Sequence, residues 1–317
     1  MRRALVSLLA ASMLAAPACA GGDPGPPSLD PTGVPGATGS TQPSATGPAS
    51  DPATPPAPAD TELPSPDAWI PRRPGTLAAE LEATRIARRR AVERWIASGG
   101  PSTWPPPEDV QLLTLREQLI YRLLAANDRL ARRVLGRLDG GVGREARANV
   151  VAGGALYDHF RPVKKLPDFR TRSPEPADTL LAYFEEGERR FGVHWELLAA
   201  VMLIETRMGR IVSNSSAGAQ GPMQFIPSTW AAYGLGGDVR DEHDAVLGAA
   251  NYLSANGAPN DDRNALLHYN PVPAYVRAVR RYAKAMERDR ALFYAYYNWQ
   301  VFVRTTRGDV RLTGPGL

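Results

Sequence analysis

Eight apolar residues in a row, 197–204, run directly into the carboxylate of Glu205. A helix on the surface of a globular protein alternates apolar and polar residues at a period of about 3.6, whereas a helix that is apolar on all sides is buried. The run therefore predicts a core helix, with Glu205 at the point where the core meets a cleft. Burial there disfavours the charged form of the carboxyl and raises its pKa, as a general acid working near neutral pH requires.

The start of the chain has the pattern of a secretory signal over residues 1–18, with two arginines, a short apolar segment and a small-residue cleavage site. Cys19, the single cysteine of the sequence, follows that site in the string AAPAC. This string resembles a bacterial lipobox, which implies that Cys19 carries a lipid and anchors the protein to the outer face of the cytoplasmic membrane. The alternative is an ordinary cleaved signal followed by an incidental cysteine. One cysteine allows no intramolecular disulfide.

Residues 19–75 are rich in Pro, Gly, Ser and Thr and contain almost no large apolar side chains. Such a segment cannot bury enough surface to offset its ordering entropy, so the composition predicts a disordered tether. The formal net charge of +4 is compatible with anionic wall polymers or lipid head groups, but most of the arginines are interpreted as a general compositional bias of a high-GC genome. No basic run alternates with aromatic residues, so nucleic acid is not an expected partner.

Helical periodicity recurs through the rest of the chain and strand patterns are few, so the predicted fold class is mainly α. The predicted helices lie at 76–98, 113–135, 145–160, 176–191, 194–209, 242–256 and 272–288. Residues 76–170 are interpreted as a helical hairpin region, and residues 171–317 as the catalytic domain. The aromatic segment FYAYYNWQVF at 293–302 is expected to pack over the core.

A loop rich in small residues, SSAGAQG at 215–221, follows the core helix. Its glycines allow the backbone to approach a ligand closely. The next residues, PMQF at 222–225, supply an apolar floor with a single amide, Gln224. Ser228 is the expected N-cap of a short helix that contains Trp230.

Three blocks in a fixed order resemble the signature blocks of lytic transglycosylases, which are bacterial enzymes that cleave peptidoglycan. The blocks are ET at 205–206, SSAGAQGPMQFIPSTW at 215–230, and ALLHYN with YVRAV at 265–279. The wording GPMQFIPSTW is also similar to the membrane-bound family B enzymes. The resemblance covers about residues 180–285 and implies a lysozyme-like (SLT-type, goose-type) catalytic domain. It also implies cleavage of the MurNAc–GlcNAc β-1,4 bond with formation of a 1,6-anhydro-MurNAc end.

The resemblance assigns a role to each matching side chain. Glu205 protonates the glycosidic oxygen and then, as a base, takes the proton of the C6 hydroxyl that attacks C1. Tyr269 matches the tyrosine that hydrogen-bonds the catalytic carboxyl, and Asn270 matches its neighbour in the cleft. The positions that match substrate-contacting residues of the family are Ser215 (with Ser216 as the alternative), Met223 and Gln224. The resemblance implies no cofactor, and the protein is expected to act as a monomer on peptidoglycan glycan strands.

Two other functions stay open. A goose-type lysozyme-like hydrolase would direct water at C1 with help from a second carboxylate, such as Asp238 or Asp241. A protein that keeps the fold without the activity would only bind the wall. The string DEHD at 241–244 is read as a helix N-cap with Asp244 at the third helical position, and it lacks the alternating ligands of a calcium loop, so no metal is expected.

Overall fold

The computed structural model describes residues 62–317. The predicted signal, Cys19 and nearly all of the predicted tether lie outside the described residues. The described chain forms the following eleven α-helices and two strands: α1 (Pro74–Ala97), α2 (Glu108–Ala125), α3 (Asp128–Leu135), α4 (Gly140–His159), α5 (Ala177–Phe191), α6 (Trp195–Thr206), α7 (Pro227–Tyr233), α8 (Glu242–Ala255), α9 (Asp262–Tyr269), α10 (Pro273–Arg288), α11 (Ala291–Tyr297), β1 (Phe302–Thr305) and β2 (Gly308–Arg311). The predicted mainly helical class is confirmed. Among residues 62–317, no helix has the length and apolar character needed to cross a membrane.

The core helix predicted from the apolar run is α6, and it packs against α5, α10, α11 and α8. Every residue of α6 except Glu196 is buried, as a helix without a polar face requires. The helix ends at Thr206 rather than at Gly209 as predicted. Arg207, Met208 and Gly209 take left-handed φ angles of 55°, 59° and 80°, which cannot continue a right-handed helix.

The N-terminal part contains four helices instead of the predicted hairpin. The predicted helix at 113–135 is broken between α2 and α3, because the side chain of Asn127 accepts a hydrogen bond of 2.9 Å from the backbone amide of Leu130 and caps a new helix. A buried ion cluster joins α1, α2 and α4: the guanidinium of Arg88 lies 3.1 Å from Glu117 and 2.5 Å from Glu145.

Helix α4 packs along α10, so the N-terminal helices support the second half of the chain. The Tyr296 hydroxyl, at the end of α11, also donates a hydrogen bond of 2.9 Å to Asn149 on α4. Residues 63–317 form one compact unit. The proposed division into 76–170 and 171–317 stays a prediction.

In the C-terminal part of the chain, the long helices agree with their predicted bounds. Helices α5, α8 and α10 lie within one residue of their predicted bounds, and Gly192 ends α5 with a φ of 74°. The sequence analysis missed α9, α11 and the antiparallel β1–β2 hairpin. The prediction that residues 293–302 pack over the core is confirmed, because all ten are buried. Ser228 is not an N-cap, since α7 starts one residue earlier with Ile226 in the cap position.

Candidate active site

Glu205 lies in the last turn of α6 and is 1% exposed. Burial raises the pKa of its carboxyl to about 8, and the Tyr275 hydroxyl opposes that rise. No charged side chain of the described residues contributes to this shift. Neither carboxylate oxygen has a hydrogen-bond partner within residues 62–317. The carboxyl is thus neutral through the neutral pH range and free to donate its proton to an incoming group.

The expected hydrogen bond from Tyr269 to Glu205 is not formed, and this assignment is corrected. The Tyr269 hydroxyl instead donates a bond of 2.5 Å to the backbone carbonyl of Met223. The sequence analysis did not predict this partner, because the sequence around Tyr269 does not reveal which carbonyl lies within reach of its hydroxyl.

Tyr275, in the first turn of α10, is the tyrosine that influences the catalytic carboxyl. It is fully buried, and it acts on the pKa of Glu205 as a hydrogen-bond donor. Its hydroxyl nevertheless lacks a partner at formed hydrogen-bond geometry, as do both oxygens of Glu205. The two groups are thus neighbours, but no hydrogen bond of standard geometry is formed between them. Tyr275 is the first residue of the YVRAV block, and its place in that block is the sequence signal that could have identified it.

A hydrogen bond holds the loop at 213–226 against the end of α6. The Thr206 hydroxyl donates a bond of 2.6 Å to the carbonyl of Pro222. Further along, Gln220 and Phe225 exchange backbone hydrogen bonds of 2.9 and 2.8 Å, which close a tight turn around Met223 and Gln224. The loop therefore has one defined position beside Glu205.

Ser215 is buried and its hydroxyl accepts the backbone amides of Ala217 at 3.3 Å and Ala219 at 3.0 Å. These bonds shape the loop and leave the hydroxyl hydrogen free to donate. Ser216 is exposed. A role for Ser215 in contacting substrate stays a prediction. The observed hydrogen bonds account for its role in shaping the loop.

Met223, Gln224 and Asn270 are buried together with the tyrosines that surround the carboxyl. Gln224 has a φ of 53°, and its amide nitrogen donates a bond of 2.9 Å to Gly221 while its side-chain oxygen has no partner in the described chain. Asn270 is similar: its side-chain oxygen accepts Val272 at 3.2 Å, and its amide nitrogen is without a partner there. Buried amides with an unused donor or acceptor are suited to bind polar groups of a ligand.

An aromatic cluster that the sequence analysis missed continues from the loop. The Phe225 ring lies 5.1 Å from Trp230 and 5.9 Å from Tyr269, and Tyr233 lies 4.8 Å from Tyr252. Trp230, Tyr233 and Tyr252 are only partly buried. Their spacing in sequence gave little signal, because the loop and α8 bring them together only in the fold.

The other acidic groups nearby are used in local structure. Asp238 accepts the amide of Arg240 at 2.8 Å, and Asp241 caps α8 by accepting the amide of Asp244 at 3.0 Å. The predicted N-cap at Asp241 is therefore confirmed. Glu242, which the sequence analysis did not single out, is buried beside Gly209 and forms an ion pair with Arg172.

Asp241, His243 and Asp244 bring three potential ligand atoms within 4.8 Å of one another. Backbone amides occupy both aspartates, because Asp241 accepts the amide of Asp244 at 3.0 Å and Asp244 accepts the amide of Asp238 at 2.8 Å. His243 faces Glu186 at 2.9 Å. These contacts account for the cluster without an ion, and the absence of a metal requirement stays a prediction.

Comparison with known proteins agrees with this geometry. Residues 182–292 match the family model described as the transglycosylase SLT domain. The chain is also similar to the membrane-bound lytic murein transglycosylase F of Thiobacillus denitrificans, at 26% identity over 190 residues, which is 56% of this chain and 39% of that protein. The chain thus spans about two fifths of the length of this relative. No solved structure matches the chain.

The matched range includes α6, the 213–226 loop and Tyr275, so the comparison and the geometry point to the same residues. The resemblance to lytic transglycosylases is confirmed, and the part of the chain that matches the transglycosylase SLT domain is residues 182–292.

Proposed function

We propose that this protein is an exported lytic transglycosylase that cleaves the MurNAc–GlcNAc β-1,4 bond of peptidoglycan and leaves a 1,6-anhydro-MurNAc end. The observation that carries the proposal is the burial of the Glu205 carboxyl. Its carboxyl is 1% exposed at the end of an apolar helix, and burial raises its pKa to about 8. A carboxylic acid that keeps its proton at neutral pH is suited to protonate a glycosidic oxygen.

The reaction needs two proton transfers at one carboxyl. In the first, Glu205 gives its proton to the glycosidic oxygen as the C1–O bond breaks, and GlcNAc leaves as the alcohol. In the second, the Glu205 carboxylate takes the proton of the C6 hydroxyl of the same MurNAc while that oxygen bonds to C1. After the two transfers Glu205 is protonated again, and no water has been consumed.

The surroundings of Glu205 favour this reaction over hydrolysis. A hydrolase of the two-carboxylate type uses a second acid as nucleophile or base. Within residues 62–317 no acidic group is close enough to alter the pKa of Glu205. Asp238 and Asp241, the candidates for that second role, are exposed and hold local backbone amides. An internal nucleophile supplied by the substrate removes the need for either.

Gln224, Asn270 and Ser215 are proposed to bind the sugar. The unused amide groups of Gln224 and Asn270 provide one acceptor and one donor, and Ser215 retains a hydroxyl hydrogen. Met223 is buried within the loop and is proposed as an apolar wall.

The proposed location is the outer face of the cytoplasmic membrane, with the lipid on Cys19 as anchor and the predicted tether as spacer. The AAPAC string supports this proposal, and the curated relative is named as membrane-bound. The enzyme is proposed to act as a monomer.

Mass spectrometry of purified peptidoglycan after digestion tests the reaction. Products that end in 1,6-anhydro-MurNAc are expected, and Glu205→Gln should release none. Reducing MurNAc ends without anhydro product would show a hydrolase instead. Wall binding without any cleavage by the wild-type protein would show a binding protein. Glu82→Gln, an exposed carboxyl on α1, is the matched control and should cleave as the wild type does.

A further inference from the structure

A cavity of about 80 Å³ lies beside the residue that follows α6, between α2, α4, α10 and the β1–β2 hairpin. At roughly 15 Å³ for each water centre, it holds about five water molecules or an organic group of similar size. Its lining includes four arginines and one acid: Arg122, Arg161, Arg207, Arg304 and Asp309. Such an excess of guanidinium groups in a confined space is unusual, because each charge repels the others.

Arg207 is the most constrained of these cations, since it is only 8% exposed. One of its nitrogens donates to the carbonyl of Leu203, which caps the last turn of α6. No carboxylate of the described residues lies within ion-pair distance of its guanidinium, which has five N–H donors in all. Burial lowers the pKa of Arg207 to about 10, so the group stays charged at neutral pH. A buried charge without a partner is unfavourable unless a counter-ion joins it.

The neighbouring arginines leave that charge uncompensated. Arg122 is neutralised by Asp309 at 2.6 Å, which uses the only acid in the lining. Arg304 stacks 3.6 Å over the Tyr157 ring and donates to the Tyr157 carbonyl. Neither Arg304 nor the exposed Arg161 has an ion-pair partner within the described part of the chain. Three guanidinium groups therefore face one space with no anion of the protein to balance them.

The rest of the lining is apolar and aromatic, and includes Leu156, Phe160, Tyr282 and Trp299. We propose that this cavity binds the anionic group, carboxylate or phosphate, of a small molecule or chain end whose apolar body lies against these rings. Guanidinium forks match both anions through paired charge-assisted hydrogen bonds. The site is separate from the proposed glycan cleft, since none of the residues assigned to the cleft lines the cavity.

Isothermal titration calorimetry at constant ionic strength tests the proposal with three probes: phenyl phosphate, benzoate and the neutral benzamide. Both anions are expected to bind at least tenfold more tightly than benzamide. The ratio between phenyl phosphate and benzoate tells whether a phosphate or a carboxylate is the preferred group. Binding of all three probes with equal affinity, or of none, would overturn the proposal.

Variants locate the binding. Arg207→Met keeps the stem and removes the charge, and it is expected to weaken both anions at least tenfold while leaving benzamide unchanged. Arg304→Met and Arg161→Ser, nearer the surface, are expected to weaken them three- to tenfold and decide the question if Arg207→Met does not fold. Arg189→Met, an exposed arginine on α5 outside the cavity, is the control. Unchanged anion affinity in the folded cavity variants would refute the site.

Discussion

Glu205 is held in an environment that resists its ionisation, and the cost appears in the stability of the fold. Burial raises the pKa of its carboxyl from 4.5 to about 8. Between these two values the folded protein keeps a proton that the unfolded chain has lost, so the free energy of unfolding falls as pH rises. The slope reaches about 1.4 kcal/mol per pH unit. Above pH 8 the carboxylate is ionised in both states and the full loss has been reached.

The Glu205→Gln variant is therefore expected to be more stable than the wild type at pH 8, by a few kcal/mol. At pH 5 the wild-type carboxyl is largely protonated in the folded state, so the difference should be small. Thermal melts at pH 5, 6.5 and 8 measure the trend. Glu82→Gln, the exposed control, should give a difference that does not grow with pH. A Glu205→Gln gain that is flat with pH would contradict the assigned pKa shift.

Tyr275 should control the pH dependence of the reaction. Its hydroxyl lowers the pKa of Glu205, so Tyr275→Phe removes that influence and raises the pKa further. The limb of the pH–rate profile that reports Glu205 should move to higher pH, and the rate should fall about 10- to 100-fold, as for a lost catalytic hydrogen-bond donor.

Tyr269→Phe is the matched comparison, because its hydroxyl bonds the Met223 carbonyl instead. This variant should lose rate through a loosened loop, with the limb unmoved. A shifted limb in Tyr269→Phe and an unshifted one in Tyr275→Phe would reverse the assignment.

The sequence predicted the identity of the acid but not of its partner, for a physical reason. An apolar run that ends in a carboxylate is a local signal, and burial follows from it directly. The tyrosine that reaches the acid depends on how α10 lies across α6, and Tyr269 and Tyr275 differ by six positions on either side of a proline-rich turn. Only the packing of the two helices distinguishes them.

At the scale of elements, the position of the 213–226 loop depends on a close backbone approach. Gly221 has a φ of 73°, and a Cβ there would lie 1.7 Å from the carbonyl oxygen of Val239. Gly218 has a similar φ of 85°, with nothing within 4 Å of its Cβ position. The two glycines carry comparable conformational strain if replaced, and only one of them would displace the loop.

Gly221→Ala is expected to lower activity about 100-fold, since a shift near 1 Å in a positioned group costs about that much. Gly218→Ala should lose less than about threefold in rate, although both variants lose roughly 1–2 kcal/mol of stability from the left-handed φ. Rates on purified peptidoglycan, measured beside melting temperatures, separate the two effects. Equal activity in both variants would show that the loop position does not matter.

Helices α5, α8 and α10 were predicted to within one residue, α2 and α4 begin five residues before their predicted starts, and α9, α11 and the two strands were missed. Helices α5, α8 and α10 have at least 14 residues each, and each has a local boundary signal: Gly192 ends α5, Asp241 caps α8 and Pro273 begins α10. Helices α9 and α11 have eight and seven residues, and the strands four each, so periodicity had too few turns to register. Tertiary contacts accompany the two short helices instead: α9 packs on α8 and α10, and α11 packs on α1, α6 and α10.

At the scale of the whole molecule, the N-terminal helices pack against residues 182–292, so we expect the stability of each part to depend on the other. Helix α10, which carries Tyr275, packs on both α4 and α6. Helix α4 is tied in turn to α1 and α2 by the buried cluster around Arg88. Within that cluster, burial raises the pKa of Glu117 to about 7, and Arg88 opposes the rise.

Arg88→Met should remove about 3–5 kcal/mol of stability, because the buried carboxylate of Glu117 loses its countercharge and Glu145 keeps only Arg85. The loss should be smaller at pH 5, where the Glu117 carboxyl, whose pKa burial raises to about 7, is protonated. Arg89→Met, which breaks a half-exposed pair with Glu93, should cost less than about 1 kcal/mol. Denaturant unfolding followed by near- and far-ultraviolet circular dichroism measures both variants. A single transition is expected, and an N-terminal transition separated from that of the SLT domain would contradict the mutual dependence.

Cys19 is the residue proposed to determine where the molecule works. If Cys19 carries a lipid, the folded unit should remain with the membrane fraction after high-salt and carbonate washes. A predicted tether of roughly 55 residues would let it reach about 40 Å on average, from 5–6 Å times the square root of the length. Cys19→Ser removes the lipid acceptor and should release active enzyme into the medium. Glu205→Gln, which keeps Cys19, is the control for location and should remain in the membrane fraction without activity. Retention of Cys19→Ser in the membrane fraction, or a wild-type protein found mainly in the medium, would replace the anchor by an ordinary cleaved signal.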